Sequence, residues 1–509
     1  VEGRLSLLDL SIIAAYLAGV LGLSWAVARR QWTGDDYFLA GRAFGGGPLA
    51  ASLVANQASA ISMIGAPAFV ALREGGGLLW LQYELAVPLA MIALIVFVLP
   101  ALRSVPGSSI YAFIERRFGV GSRRALAATF LVSRGLALGV VLYASAVVVA
   151  EAVGWPVERA ILAVGIFSVA YTSLGGLAAD VWSDVIQLVV LWVGTIVSAA
   201  YVFAHGGTAV IDAIPDERFQ ALVFSAPPGD PSPLTFWPML LGGFFLYMSY
   251  YGCDQSQAQR LVAARSDRDA RLALLLNGVI RFPVVLTYCI FGLLLAGLLQ
   301  VDQSFAASMA ARPADSLVPV FMMNYLPSGV RGLFFAAILA AAMSSIDSAM
   351  NSLAAVTLED VFEIPPERQG IWLSRLTSLA WGTFAIVAGL QVAGGDRGVL
   401  EVVNQFGSAF YGPLLGVFLL GVFARSVTGG AALAGLVAGL AGNLALARWA
   451  PGMSWLWWNP IGLGATMGVA LGISRSAVGF TMPIAGGREA AWLGAAWLAM
   501  FGLLVGTLV

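Results

Sequence analysis

The sequence predicts an all-α integral membrane protein that crosses the bilayer about fourteen times. Three observations carry this. Apolar residues make up 59% of the 509 residues and charged residues only 11%, where a soluble globular protein carries about 25% charged residues. Runs of roughly 20 apolar residues recur along the chain, separated by short polar turns. Two of these runs are interrupted by polar and glycine residues at corresponding places, the mark of broken helices around a midplane site.

The runs fall near 6–28, 47–72, 77–102, 125–153, 157–174, 181–204, 236–255, 270–299, 330–354, 371–394, 402–424, 427–448, 457–474 and 487–508. The first is too long for a signal peptide and lacks a cleavage site, so it reads as a true span. The second contains S-L-V-A-N-Q-A-S-A-I-S (52–62) and the seventh Y-M-S-Y-Y-G-C-D-Q (247–255). Each opens a five-span block. The whole chain, 1–509, therefore reads as one transporter-like membrane domain: a leading span at 6–28, a first repeat at 47–204, an inverted second repeat at 236–424, and C-terminal spans at 427–508. An even number of spans puts both termini on one side. Arg29, Arg30, Arg42, Arg103, Arg116, Arg117, Arg123 and Arg124 crowd onto loops that face the cytoplasm if both termini lie outside a plasma (cell inner) membrane. The basic run 260–271 then reads as a cytoplasmic topology signal, not a nucleic-acid contact. Trp455, Trp457 and Trp458 read as an interfacial anchor.

Composition also excludes function classes. All 27 basic residues are arginine. Cys253 and Cys289 both sit in apolar runs, which fits neither a disulfide framework nor a metal cluster. A single histidine, His205, supports neither a zinc site nor H-E-x-x-H chemistry, so an intramembrane enzyme is not expected. The chain shows no filter motif of an ion channel and no appended signalling domain of a sensor. No protein partner is evident beyond the lipid bilayer.

The stretch 339–352, L-A-A-A-M-S-S-I-D-S-A-M-N-S, points to an ion. Ser344, Ser345, Asp347 and Ser348 occupy i, i+1, i+3 and i+4 of an apolar span. A small hard cation takes oxygen ligands, and lipid-facing helices do not carry them.

Five segments together resemble the sodium/solute symporter family, which includes the sodium/glucose, sialic acid and proline carriers. They are D-D-Y-F-L-A-G-R (35–42), S-I-Y-A-F-I-E-R-R-F (109–118), Y-T-S-L-G-G-L-A-A-D-V-W-S-D-V-I-Q (171–187), D-Q-S-Q-A-Q-R (254–260) and A-A-A-M-S-S-I-D-S (340–348). The resemblance implies a LeuT-like 5+5 inverted repeat with an extra leading span. It also implies secondary active transport, in which inward Na+ movement drives uptake of a small polar solute, a sugar, polyol or small carboxylate. A proton-coupled carrier on the same fold is the alternative.

The resemblance places the main Na+ site on the backbone carbonyls of Ala55, Ala58 and Ala341 and the hydroxyls of Ser344 and Ser345. Carbonyls at an unwound turn lack internal partners and can face a cation. Asp184 matches a carboxylate at a second cation position, facing Asp347 and Ser348. Asp347 departs from the family pattern. Two carboxylates there hold a second Na+ or share a proton, unless Asp184 lies at the membrane edge and faces cytoplasmic water. The solute pocket is expected among Gln57, Ser59, Ser62, Glu84, Tyr247, Tyr250, Arg281 and Gln405. Tyr250 matches the aromatic that closes a sugar pocket, and Glu84 and Arg281 match sugar contacts. Charges at such depth are expensive and usually functional, although these two can also pair with each other. Ile61, Ser62 and Ala137 break the sugar and sialate patterns.

Overall fold

A computed structural model describes residues 5–58, 60–225, 234–310, 312–392, 399–475 and 486–507. Helix α1 (Leu7–Ala28) opens with a capping box: Ser6 Oγ accepts from the Asp9 backbone, and Asp9 accepts from Ser6 N at 2.9 Å. Thr33 and Asp36 repeat the device at the short α2 (Gly34–Leu39). These boxes satisfy first-turn N–H groups that the helix itself leaves unpaired. Helices α3 (Gly46–Gln57) and α4 (Ala60–Leu72) form one span bent by 54°. Next come α5 (Trp80–Glu84), α6 (Ala86–Ala93), α7 (Leu99–Leu102), α8 (Tyr111–Phe118) and α9 (Val120–Val153).

Helix α10 (Val157–Asp212) runs for 56 residues with non-helical backbone at Gly176 and Gly207. Then follow α11 (Gly243–Gly252), α12 (Gln255–Val262), α13 (Asp267–Val301), α14 (Gln303–Met309), α15 (Leu317–Tyr325) and α16 (Val330–Val356). The chain continues through α17 (Ile371–Val392), α18 (Val399–Phe423), α19 (Gly429–Trp449), α20 (Trp458–Ser474) and α21 (Gly487–Val505).

The expected count of about fourteen spans is corrected. Among the described residues nine helical stretches are long and apolar enough to cross a membrane, or ten if the bent α3–α4 pair counts as one. The expected spans 157–174 and 181–204 lie on either side of the bend at Gly176 within the continuous 56-residue α10, with no loop between them. The span placed at 236–255 is a π turn, Pro238–Gly242, followed by the ten-residue α11. The one at 457–474 is the 17-residue α20, which continues the 3-10 turn Trp455–Trp457. A hydropathy window averages over about 19 residues, so it marks where polarity interrupts an apolar run but not whether the helix stops there.

Helix α16 lies at the centre, with 94% of its membrane-length window buried against 17% for α1. It packs against α10, α9, α1 and α17. Apolar burial cannot explain why its inner run carries Ser344, Ser345, Asp347, Ser348, Asn351 and Ser352, all buried. Helix α1 is fastened to the start of α16: Asp9 accepts from Gly329 N and Gly332 N, each at 2.8 Å, and from Arg331 Nη2 at 2.9 Å.

The bend in α10 positions the site. Gly176 has φ 55° and ψ −157°, a conformation that only glycine adopts readily. A Cβ there would meet the Tyr37 carbonyl at 2.5 Å. Around the bend, Gln31 Nε2 donates to the Gly175 carbonyl at 2.7 Å and Tyr37 Oη to the Thr172 carbonyl at 3.1 Å. Gly207 shares the backbone angles but has open space around its Cβ position. Gly176→Ala is therefore expected to lower the melting temperature in detergent more than Gly207→Ala. Both carry strain of roughly 1–3 kcal/mol, and only the first adds a clash. Equal melting shifts would show that the Tyr37 contact yields freely.

Candidate functional site

Helix α3 ends at Gln57, and α4 begins at Ala60 after the break. A helix leaves its last carbonyls without internal partners. Ala55 lies in the last turn of α3 and Ala58 just beyond it, both buried. Across from them, Ser345 Oγ of α16 donates to the Asn56 carbonyl at 3.1 Å. Ala341 is buried one turn before Ser345 on the same helix. The unwound end of α3 and the serine pair of α16 are thus neighbours.

Ser344 Oγ donates to Asp184 Oδ1 of α10. Asp184 is fully buried, not exposed at a membrane edge. Its other oxygen accepts from Ser52 Oγ of α3 at 2.5 Å and from Arg260 Nη2 at 3.1 Å. A hydroxyl that donates its hydrogen bond to a carboxylate keeps its lone pairs free for another partner.

Asp184, Asp347 and Ser348 are not gathered on one point. Asp347 Oδ1 accepts from Thr172 Oγ1 at 2.6 Å, and its buried Oδ2 has no hydrogen-bond partner among the described residues. Ser348 Oγ lies 3.2 Å from both carboxylate oxygens of Asp180 and donates to the Ser344 carbonyl at 3.0 Å.

Arg260 is the principal residue that sequence reasoning misread. It is not a cytoplasmic topology signal: it is 1% exposed. Its guanidinium reaches Ser52 Oγ at 2.6 Å, the Ser256 carbonyl at 2.5 Å, Asp180 Oδ2 at 2.8 Å, Asp184 Oδ2 and Ser348 Oγ. Asp180 and Ser52 were likewise unassigned, although both stand in polar stretches singled out above. An arginine behind D-Q-S-Q-A-Q reads equally well as a loop residue, because α12 is only eight residues long and too short to register as a span.

Glu84 and Arg281 meet in the interior. Nε donates to Oε2 at 2.5 Å and Nη2 to Oε1 at 3.0 Å, a two-point pair. Nη2 also reaches Tyr247 Oη at 3.1 Å, and the guanidinium lies 5.1 Å from the Tyr247 ring centre. Tyr250 accepts from Gln257 Nε2 at 2.8 Å and stands edge-on to Tyr251 and Tyr411. Tyr251, not singled out from the sequence, donates to Gln57 Oε1. Ser62 Oγ donates to the Gln57 carbonyl at 3.4 Å. Glu84, Arg281 and Tyr247 form one group and Tyr250, Tyr251, Gln57 and Ser62 another, and the Tyr247 and Tyr251 rings, with centres 6.3 Å apart, link the two. Ser59 lies outside the described residues. Gln405 lies on α18, with its side chain outside them.

The profile described as the sodium:solute symporter family matches residues 37–439. The chain is 31% identical to the human sodium/iodide cotransporter over 434 residues, covering 83% of this chain and 67% of that one. It is 32% identical to the mouse sodium-coupled monocarboxylate transporter 1 over 446 residues, covering 84% and 70%. It is 31% identical to the rabbit sodium-dependent multivitamin transporter over 456 residues, covering 86% and 70%. A solved Na+-coupled sialic acid symporter in a substrate-bound outward-open state shares the fold, with TM-score 0.80 and 21% identity over 93% of this chain and 99% of that one. A nucleobase-cation-symport-1 transporter shares it more distantly, with TM-score 0.55 and 15% identity over 90% and 97%. The break beside a serine pair, the all-α multi-pass architecture and these matches converge: the chain belongs to the sodium:solute symporter family and is a secondary active, Na+-coupled transporter of a small polar solute.

Proposed function

We propose that the transported solute is a small monocarboxylate, and that Na+ binds beside it on the carbonyls of Ala55, Ala58 and Ala341 and the hydroxyls of Ser344 and Ser345. The observation that carries this is the α3–α4 break with Ser345 Oγ on the Asn56 carbonyl. Its two helix ends have opposite character. The carbonyl end of α3 suits a cation. The N-terminal end of α4 at Ala60 suits an anion, because first-turn N–H groups and the helix dipole favour negative charge. Asp184 accepts the hydrogen bond of the Ser344 hydroxyl, which leaves the hydroxyl's lone pairs for Na+.

Glu84 is engaged by Arg281, which leaves it less suited to recognise sugar hydroxyls. Several relatives are named for monovalent anions, iodide and monocarboxylates. Na+ and solute share one break, so each strengthens the other's binding, and that reciprocity is the coupling. The multi-pass helical architecture supports a plasma membrane placement.

The test is uptake by proteoliposomes under an inward Na+ gradient, with choline as the control cation. Labelled propionate or lactate is expected to accumulate in sodium and not in choline. Equal uptake in choline at either of two pH values would replace Na+ by a proton. Accumulation of glucose without propionate or lactate would overturn the carboxylate assignment.

A further inference from the structure

We propose that Arg260 is a built-in cation that opposes Na+: by neutralising Asp184 it weakens the field that Asp184 exerts, through Ser344, on the sodium position. The inference rests on the Na+ reading of Ser344 and Ser345 given above. It begins from an imbalance. A buried guanidinium on α12 sits between two buried carboxylates, Asp180 at 2.8 Å and Asp184 at 3.1 Å. It also bonds Ser52 of α3 and Ser348 of α16. Each of the helices bearing the sodium ligands is therefore touched by the same fixed cation.

One arginine shared by two aspartates leaves a residual negative charge. That charge stands one hydrogen bond from Ser344, since Asp184 Oδ1 holds the Ser344 hydroxyl while Asp184 Oδ2 holds Arg260. Groups bonded to a ligand set the ligand's orientation and basicity, so changing them changes ion affinity. In a site of low dielectric these charges are little screened. The more fully Arg260 engages Asp184, the weaker the pull on Na+; the more it engages Asp180, the stronger. Arg260 is a positioning residue, because it acts through Asp184 and touches no proposed solute.

The experiment is a Na+ titration of the purified full chain in detergent, at constant ionic strength with choline, read by thermal unfolding. Ligands that bind the native state stabilise it by mass action. The double variant D180N/R260Q has the same net cluster charge as the wild type but leaves Asp184 without its arginine. Its Na+ midpoint is expected to fall roughly tenfold, the scale of ordinary coupling between sites. D180N alone frees Arg260 to engage Asp184 fully, so its midpoint is expected to rise severalfold. R260K keeps the charge and should stay near wild type. These opposite signs separate an electrostatic role from a merely structural one, which would move stability without ordering the midpoints. Should the double variant fail to fold, D180N alone decides. Midpoints equal to wild type in D180N/R260Q, or in D180N where it alone is measurable, overturn the proposal. S344A and S345A together are the control: wild-type midpoints in both sink the sodium site and this inference with it. A shift in either serine variant with an unmoved Arg260 series sinks this inference alone.

Discussion

Arg281→Ala is expected to destabilise the folded protein by about 3–5 kcal/mol, because it strands Glu84 as a buried charge without a partner. Glu84 is 1% exposed, and Arg281 supplies both of its guanidinium contacts. Glu84→Ala should cost a similar amount, since Arg281 would keep only Tyr247. The double change E84Q/R281Q removes both charges together and should recover most of the loss, because removing a whole pair can be nearly neutral where removing half is not. The measurement is a double-mutant cycle on unfolding of the purified protein, with uptake followed in parallel. Additive losses would mean that the pair is not coupled. If the double variant is stable but does not transport, the pair acts on solute as well as on the fold.

The extent to which this arrangement could be read from the chain differs from feature to feature, for physical reasons. Membrane residence was legible because burial in lipid demands long apolar runs. The break at 52–62 was legible because polar residues in mid-span are costly without a function. The meeting of Ser345 with the end of α3 followed from the family resemblance, and the structure brings Ser345 and Asn56 together. The span count was not legible. Hydropathy separates two runs at 175–180, but the chain passes from one to the other through the Gly176 bend of α10 with no loop between them. Arg260 was misread for a related reason. Charge in a short polar segment resembles a solvated loop, and only the fold reveals that α12 is tucked against α3, α13 and α16. Asp347 shows the limit of spacing arguments. It stands one residue before Ser348, yet Asp347 bonds Thr172 while Ser348 bonds Asp180. Residues adjacent on a helix do not share a face.

Ser345→Ala is expected to weaken Na+ binding with little loss of folded protein. Among the described residues its hydroxyl has one partner, the Asn56 carbonyl, and a carbonyl at a helix end beside a break finds water as a substitute. Losing one oxygen from the shell of a cation should cost roughly 1–3 kcal/mol, the scale for leaving a charged group short of a partner. Ser344→Ala should weaken Na+ as well, but it also deprives Asp184 of a donor. Asp184 would then hold only Ser52 and Arg260. That second effect should appear as lower stability in choline, where Na+ plays no part, and Ser345→Ala should not show it. Ser345→Thr keeps the oxygen and should bind Na+ nearly as the wild type does. The comparison is a Na+ titration of melting temperature for all three variants, each referenced to its own value in choline. Were Ser344→Ala and Ser345→Ala both to keep the wild-type sodium midpoint, the serine pair would be a packing feature of α16 and the cation would have to bind elsewhere. Were Ser345→Ala alone to keep it, Ser344 and Asp184 would form the site, and the carbonyls at the end of α3 would lose their proposed role.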